Sequence, residues 1–349
     1  MPVTPSQLQT ILAAMIPAKL PLLITGSPGI GKTDIVNLAA QTANADYVVT
    51  HPVVEDPTDR KGIPWPDSAT GTCLWLTDHV TQQLCTATRL TVWLMDDLGQ
   101  ATPSVQAAHM QWLLNRGING HMLSPFVTIV AATNRRIDRA GVSGILEPVK
   151  SRFASIVELE PDIDSWCNWA FSHGIPATLI AFLRFRPELL CKFEASADLT
   201  NSPVPRTWAH LAKVEALNLP AAIESAVMAG SVGEGASLEY LAFRSMYKSM
   251  VNLDSILLDP ARVTIPSKPS ELYATVIGLA HRANSQNFAR IATYATRLAT
   301  EPNAQGNTRG EFAVLLVKSA DQFDPTIAYT DARVRLSCGP VGALYSGQA

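Results

Sequence analysis

Residues 26–33 read GSPGIGKT, which is the GxxxxGK[ST] pattern of a phosphate-binding loop. An apolar run, LPLLI at 20–24, precedes the loop, and a helical pattern that starts near Ile35 follows it. In this context the glycines let consecutive backbone N–H groups surround an anion, and the helix N-terminus adds partial positive charge. The chain is therefore predicted to bind a nucleoside triphosphate through Gly26, Ser27, Pro28, Gly29, Ile30, Gly31, Lys32 and Thr33.

Four side chains in and after this loop suggest how the phosphates are handled. Lys32 can reach the β- and γ-phosphates, and the Thr33 hydroxyl can bind Mg²⁺. Further along, the apolar strand pattern VWLM at 92–95 ends on Asp96 and Asp97. One carboxylate at the end of such a strand can hold Mg²⁺, and its neighbour can orient an attacking water. Together the loop and the acidic pair predict a magnesium-dependent site for ATP.

A further polar residue stands at the end of another apolar strand pattern. The sequence AATN at 131–134 ends on Asn134, whose amide can hydrogen-bond the attacking water or the γ-phosphate. An asparagine in this position also commonly starts a turn, and the residues alone favour the turn.

Strand and helix patterns alternate over the first 160 residues. This order predicts an α/β fold with a parallel sheet that is covered by helices on both faces. Beyond Pro161 helical patterns dominate, and the glycine-rich stretch at 230–235 is expected to be a linker. The strand patterns that follow LPLLI lie at 47–49, 91–95, 126–131 and 155–159.

The order of the motifs resembles that of an AAA+ ATPase, and within that class it is most similar to the MoxR-type branch of the dynein-related group. The resemblance covers about residues 1–225. The motifs that carry it are GSPGIGKT, DPTD at 56–59 followed by Gly62, VWLMDD, LGQATPSVQ at 98–106, AATN, VKSRF at 149–153 and SPVPRTW at 202–208.

This resemblance implies an AAA+ P-loop fold, in which a parallel five-stranded sheet has the strand order 5-1-4-3-2 and carries helix-insert hairpins. It also implies an α/β nucleotide-binding domain at 1–160, an all-α lid at 161–225 and a C-terminal helical region at 226–349. The resemblance is weaker beyond the lid, where only the helical character of the sequence is similar.

Two inserted hairpins fit the MoxR-type branch. They are expected near 62–75 and 116–122, and the second contains an Asn-Gly turn. In related rings such hairpins face the central pore or a partner. Trp65 is therefore a candidate contact for a protein substrate, although a tryptophan between two prolines is more commonly packed.

The resemblance also assigns roles to individual residues. Arg152 and Arg206 are ordinary surface arginines if their sequence context is ignored, but a guanidinium near a transferring phosphoryl group stabilises developing charge. The implied roles are Lys32 for the phosphates, Thr33 and Asp96 for Mg²⁺, Asn134 as sensor one, Arg152 as the arginine finger for a neighbouring subunit, and Arg206 as the sensor-two arginine of the lid.

One residue departs from the family pattern. The family usually has glutamate after the Walker B aspartate, whereas this chain has Asp97. The carboxylate is retained but stands one methylene further from the water that it would orient, so hydrolysis could be slow.

The resemblance implies an ATPase that forms a hexameric homo-oligomeric ring. It would act as a chaperone-like remodeller or assembly factor for a protein substrate, together with a partner that bears a von Willebrand factor A-type domain. A nucleotide-gated assembly module with little hydrolysis is the main alternative, because of Asp97. A nucleic-acid motor is a third and less favoured hypothesis.

Composition agrees with this ranking. The chain has 349 residues and a net charge of −3, which gives no basic footprint for nucleic acid. Only 16% of its residues are charged, which indicates either a large core or a surface that buries against other subunits. No apolar stretch approaches the ~20 residues of a membrane span, and the start lacks the pattern of a signal peptide. The five cysteines are widely spaced, which favours free thiols in the cytoplasm.

Overall fold

The computed structural model describes residues 2–138, 144–195, 199–250, 252–303 and 305–345, with the backbone alone at 248–250 and 345. Its contacts divide the chain into two compact units. The first consists of Met1–Asp162, Phe193–Leu199 and Val204–Arg206. The second consists of Ile163–Lys192, Thr200–Pro203 and Thr207–Ala349. Two short segments of the predicted lid thus pack with the first unit, and the predicted domain limits stay a prediction.

The first unit is built on one parallel sheet. Its strands are β1 (Leu22–Thr25), β2 (Asp46–Thr50), β3 (Thr91–Met95), β4 (Val127–Thr133) and β5 (Ser155–Glu158), and they lie in the order β5-β1-β4-β3-β2. Every residue of β3 and β4 is buried, as expected for inner strands of a sheet with helices on both faces. The predicted α/β fold with a five-stranded parallel sheet in the order 5-1-4-3-2 is confirmed.

Helices and short 3₁₀ turns connect these strands and place the polar loops at one end of the sheet. The 3₁₀ turns are Pro52–Val54, Leu98–Gln100 and Arg136–Asp138. The helices are α1 (Pro5–Ala18), α2 (Lys32–Thr42), α3 (Pro57–Lys61), α4 (His79–Cys85), α5 (Pro103–Asn115) and α6 (Glu147–Lys150).

Both predicted hairpins are present as separate two-stranded sheets. The first pairs Ile63–Asp67 with Thr72–Leu76, and the second pairs Gly117–Ile118 with His121–Met122. Asn119 and Gly120 of the second turn have φ angles of 50° and 87°, the two positive values that a tight hairpin turn requires. Trp65 on the first hairpin is 58% exposed. The alternative prediction, that a tryptophan between two prolines is packed, is therefore wrong.

A buried polar group of residues, here named the Arg60 cluster, holds the base of the first hairpin. Arg60 in α3 is 4% exposed and pairs through Nε with a Glu55 carboxylate oxygen at 3.2 Å. Its Nη2 donates to Asp78, the N-cap of α4, at 3.2 Å. The same oxygen of Glu55 lies 2.7 Å from Nε2 of His109 in α5. The cluster therefore joins the segments before and after the hairpin to α5.

The described part of the second unit is helical. Among the described residues of the whole chain, no helix is both long and apolar enough to cross a membrane. Two 3₁₀ turns lie at Pro187–Leu189 and Pro325–Tyr329. The helices are α7 (Ile163–Ser172), α8 (Ala177–Phe185), α9 (Pro205–Glu215, whose first two residues belong to the first unit), α10 (Ala221–Val232), α11 (Glu234–Met250), α12 (Leu253–Leu258), α13 (Pro269–Arg282), α14 (Phe288–Thr300), α15 (Gly310–Phe323), α16 (Asp331–Ser337) and α17 (Pro340–Tyr345).

The predicted linker at 230–235 is wrong, because this stretch belongs to two helices. Only Gly233 lies between α10 and α11, with a φ of 84° that ends the first helix. A glycine inside a helix costs about 1 kcal/mol relative to alanine, which the packing of two long helices outweighs. An ion-pair group ties these helices together, since Arg244 of α11 pairs with Glu224 of α10 at 2.6 Å and with Glu215 of α9 at 3.3 Å.

Candidate nucleotide site

The phosphate-binding loop needs glycine at three positions for different reasons. Gly29 and Gly31 have φ angles of 75° and 92°, in the left-handed region that other residues rarely adopt. A Cβ atom on Gly26 would lie 2.7 Å from the carbonyl oxygen of Leu159, which no side chain tolerates. A Cβ atom on Gly29 would also lie 2.7 Å from Cγ2 of Val204. The loop is thus held closely between the end of β5 and the segment that starts α9.

Lys32, the charged residue of the loop, is buried, with 7% exposure. Its ammonium donates to the carbonyl oxygens of Gly26 and Ser27, both at 2.9 Å, and to Oδ1 of Asn134 at 2.8 Å. Burial lowers the pKa of Lys32 to about 8, although the carboxylates of Asp96 and Asp97 oppose that shift. The ammonium is therefore fixed by neutral acceptors in a position from which it can meet a phosphate.

Asn134 connects Asp97 to Lys32. While its Oδ1 accepts from Lys32, its Nδ2 donates to Oδ1 of Asp97 at 3.3 Å. The Thr33 hydroxyl donates to Oδ2 of Asp96 at 2.7 Å, and the Asp97 backbone N–H donates to Oδ1 of Asp96 at 3.1 Å. A continuous hydrogen-bond network thus joins the ends of β3 and β4 to the loop after β1. The residues alone favour a turn at Asn134. The structure shows that its side chain also contacts Lys32 and Asp97.

The acidic pair has distinct environments. Asp96 is buried at the end of β3, whereas Asp97 adopts a left-handed backbone with a φ of 59°. Burial and the neighbouring Asp96 carboxylate raise the pKa of Asp97. A carboxylate with a raised pKa accepts a proton more readily, which suits a group that polarises water.

Thr33 and Asp96 are the residues that fit a magnesium ion. Mg²⁺ is usually held by one or two protein oxygens together with phosphate oxygens and water, and these two side chains supply oxygens at hydrogen-bond distance from each other. In the described ranges, no group of three or more His, Cys, Asp or Glu residues could hold a metal by itself. Two protein oxygens leave the other ligand positions to water and phosphate, so the Thr33–Asp96 pair suits a metal that arrives with a nucleotide.

The two predicted arginines take different positions. The backbone N–H of Arg206 donates to the Gly29 carbonyl at 3.0 Å, and its exposed side chain acts electrostatically on Lys32. The guanidinium of Arg152 donates to the Pro148 carbonyl and to the Ser151 hydroxyl instead. Among the described residues, its buried Nε has no hydrogen-bond partner. Arg206 thus lies beside the phosphate-binding loop of its own chain. Arg152 instead bonds to a residue of α6 and to the residue that follows this helix.

Sequence reasoning missed Arg135, which directly follows Asn134. Its guanidinium donates to the Ser27 hydroxyl in the phosphate-binding loop and to the carboxylates of Asp138 and Glu158. The available signal was its position after a strand that ends in the site. That signal could not identify its partners, because Ser27 lies 108 residues away in the sequence.

Comparison with known proteins finds only distant structural likeness. No family profile and no curated protein sequence matches the chain. The chain is 16% identical to the RuvB Holliday junction branch migration motor of Thermotoga maritima, over 87% of this chain and 90% of that one, with a TM-score of 0.38. It is 12% identical to NtrX of Brucella abortus in complex with ADP, over 97% and 68%, also with a TM-score of 0.38.

Proposed function

We propose that the chain is an ATP-hydrolysing ring ATPase of the MoxR type, and that it remodels or assembles a protein partner in the cytoplasm. The observation that carries this proposal is the network in which Lys32, Asn134 and Asp97 are joined by hydrogen bonds beside the Thr33–Asp96 pair. These are the residue types that phosphoryl transfer to water needs, and they converge at the carboxyl end of a parallel sheet.

Each member of the network has a role in this proposal. Lys32 binds the β- and γ-phosphates, and Thr33 and Asp96 hold the Mg²⁺ that accompanies ATP. Asp97 orients the attacking water, and Asn134 aligns that water with the γ-phosphate. The raised pKa of Asp97 and its bond from Asn134 support this division of work.

The first hairpin supports a protein as the substrate or partner. The pairs Ile63–Leu76 and Trp65–Leu74 stand opposite each other at alternate positions, so the four side chains lie on one face of the hairpin. Each of them is more than half exposed. An exposed apolar face of this kind is typical of protein contacts, and we propose a von Willebrand factor A-type domain as the partner. A hexameric ring is the proposed assembly.

A second candidate function is a nucleotide-gated assembly module with little hydrolysis. The observation that favours it is the short Asp97 side chain, whose carboxylate already accepts the Asn134 amide. In that case ATP would drive assembly without fast turnover.

Steady-state phosphate release with Mg²⁺ and ATP separates these functions. We expect turnover in the wild-type chain, and loss of both ATP binding and turnover in Lys32→Ala, because the ammonium is the fixed positive charge of the loop. Circular dichroism and calorimetry check that the variant is folded and no longer binds. Tight ATP binding by the wild type without phosphate release favours the assembly module, and undiminished affinity in the folded Lys32→Ala variant removes Lys32 from the site.

A further inference from the structure

All three guanidinium nitrogens of Arg135 donate hydrogen bonds beside the phosphate-binding loop. Its Nε and Nη2 donate to the two carboxylate oxygens of Asp138, both at 3.0 Å. Its Nη1 donates to Glu158 at 3.3 Å, and Nη2 also donates to the Ser27 hydroxyl. A planar guanidinium that binds one carboxylate with two nitrogens is held in a single orientation. Arg135 is therefore a fixed part of the site rather than a mobile surface charge.

The contacts of Arg135 connect three neighbouring strand ends. Arg135 follows β4, Ser27 lies in the loop after β1, and Glu158 is the last residue of β5. Ser27 is 5% exposed, and its carbonyl accepts a hydrogen bond from the Lys32 ammonium at 2.9 Å. Arg135 thus bonds to the same residue whose carbonyl positions Lys32.

Arg135 also balances negative charge near the phosphates. Asp138 is 7% exposed, and its negative charge acts on Lys32 of the phosphate-binding loop. Without the guanidinium, the carboxylates of Asp138 and Glu158 would stand unpaired beside a loop that must accept a polyanion. Four of the five N–H donors of Arg135 are used by Asp138, Glu158 and Ser27, so this guanidinium is engaged mainly with the protein.

We propose that Arg135 is a positioning residue that sets the affinity of this site for nucleotide phosphates. It does so by holding Ser27 in place and by neutralising Asp138 and Glu158. This inference rests on the proposed nucleotide binding, and it adds a residue that contacts the loop from outside the phosphate cradle.

The test compares Arg135→Ala with Arg136→Ala, which removes the same charge from the neighbouring exposed side chain. ADP binding is measured by calorimetry, so hydrolysis does not enter. We expect Arg135→Ala to raise the Kd for ADP about tenfold or more, as for a lost charge-assisted hydrogen bond, and Arg136→Ala to change it less than about twofold. In phosphate-release assays the KM for ATP rises more than kcat falls.

Two further variants separate position from charge. Ser27→Ala removes only the hydroxyl, so its effect should nearly vanish when it is combined with Arg135→Ala. Asp138→Asn combined with Arg135→Ala removes one unpaired carboxylate and should recover part of the affinity. A merely structural role for Arg135 would lower the melting temperature while leaving the ADP-induced shift of that temperature unchanged.

The possible failures are distinguishable. If the wild type binds no nucleotide, the proposed function itself is wrong. If the wild type binds ADP and Arg135→Ala binds it within twofold, only the inference about Arg135 is overturned. If Arg135→Ala does not fold, Arg135→Lys replaces it in the test, because lysine keeps the charge but cannot bind Asp138 through two nitrogens. Wild-type affinity for ADP in Arg135→Lys would contradict the positioning role.

Discussion

Asp97 is the residue on which hydrolysis depends, because it replaces the longer glutamate of the family that the sequence resembles. Its left-handed backbone is uncommon for a residue other than glycine, although aspartate tolerates it better than most. Its backbone N–H is bonded to Asp96 and its carboxylate to Asn134. The short side chain is therefore fixed at both ends, and its reach toward a water is set by the backbone.

Substitution of Asp97 tests its role in orienting water. We expect Asp97→Asn to bind ATP normally and to lower kcat by about 10²-fold or more, because the amide cannot accept a proton. Asp97→Glu should keep or raise the rate, since it restores the longer reach. Asp46→Asn makes the same chemical change at an exposed position and serves as the control. Unchanged phosphate release in Asp97→Asn would show that another group activates the water.

At the scale of elements, the parts that sequence could predict are those encoded locally. The loop at 26–33 and the strands follow from patterns within a few residues, and the Asn-Gly turn predicts the second hairpin. The contact between Arg135 and Ser27 depends on which strands become neighbours, which no local pattern contains. The error at 230–235 has the opposite origin, since a local glycine signal was overridden by the packing of α10 against α11.

The Arg60 cluster is expected to anchor the first hairpin energetically. Arg60→Met removes the cation that pairs with the carboxylates of Glu55 and Asp78. Breaking a buried ion pair by removing one partner typically costs about 3 to 5 kcal/mol. Arg89→Met is the matched control, because the Arg89–Asp46 pair is about half exposed and such pairs contribute less than about 1 kcal/mol. Urea unfolding of both variants checks the difference, and equal stabilities would contradict the anchoring role.

The burial of His109 predicts how the free energy of unfolding depends on pH. This histidine is fully buried, it faces Glu55 and the cation of Arg60, and burial lowers its pKa. An unfolded histidine takes up a proton near pH 6.5, and the folded one resists it, so its contribution to stability is present above that pH and is lost below it. The difference in unfolding free energy between wild type and His109→Gln should therefore shrink as the pH falls from 7.5 to 5.5. A difference that grows instead would mean that His109 is charged and paired with Glu55.

At the scale of the whole molecule, the position of Arg152 bears on assembly. Arg152 comes three residues before β5, and β5 runs parallel to β1 with Ser155 opposite Leu22. The phosphate-binding loop follows the other end of β1. The two therefore lie at opposite ends of adjacent strands, about 13 Å or more apart at ~3.3 Å per residue. We infer that one chain cannot easily bring this arginine to its own γ-phosphate, whereas a neighbour in a closed head-to-tail ring can.

Complementation between two inactive variants tests this arrangement. Arg152→Ala should bind ATP normally and hydrolyse it about 10³-fold more slowly or worse, as for a lost arginine finger. Lys32→Ala keeps its arginine but binds no ATP. In mixed rings, some interfaces pair an intact loop with an intact Arg152, so phosphate release should rise above that of either variant alone. Arg136→Ala mixed with Lys32→Ala controls for the loss of an exposed charge, since Arg136→Ala should be active by itself. Absence of recovery in mixtures that co-assemble by mass measurement would count against donation between subunits, and full activity of Arg152→Ala alone would exclude it.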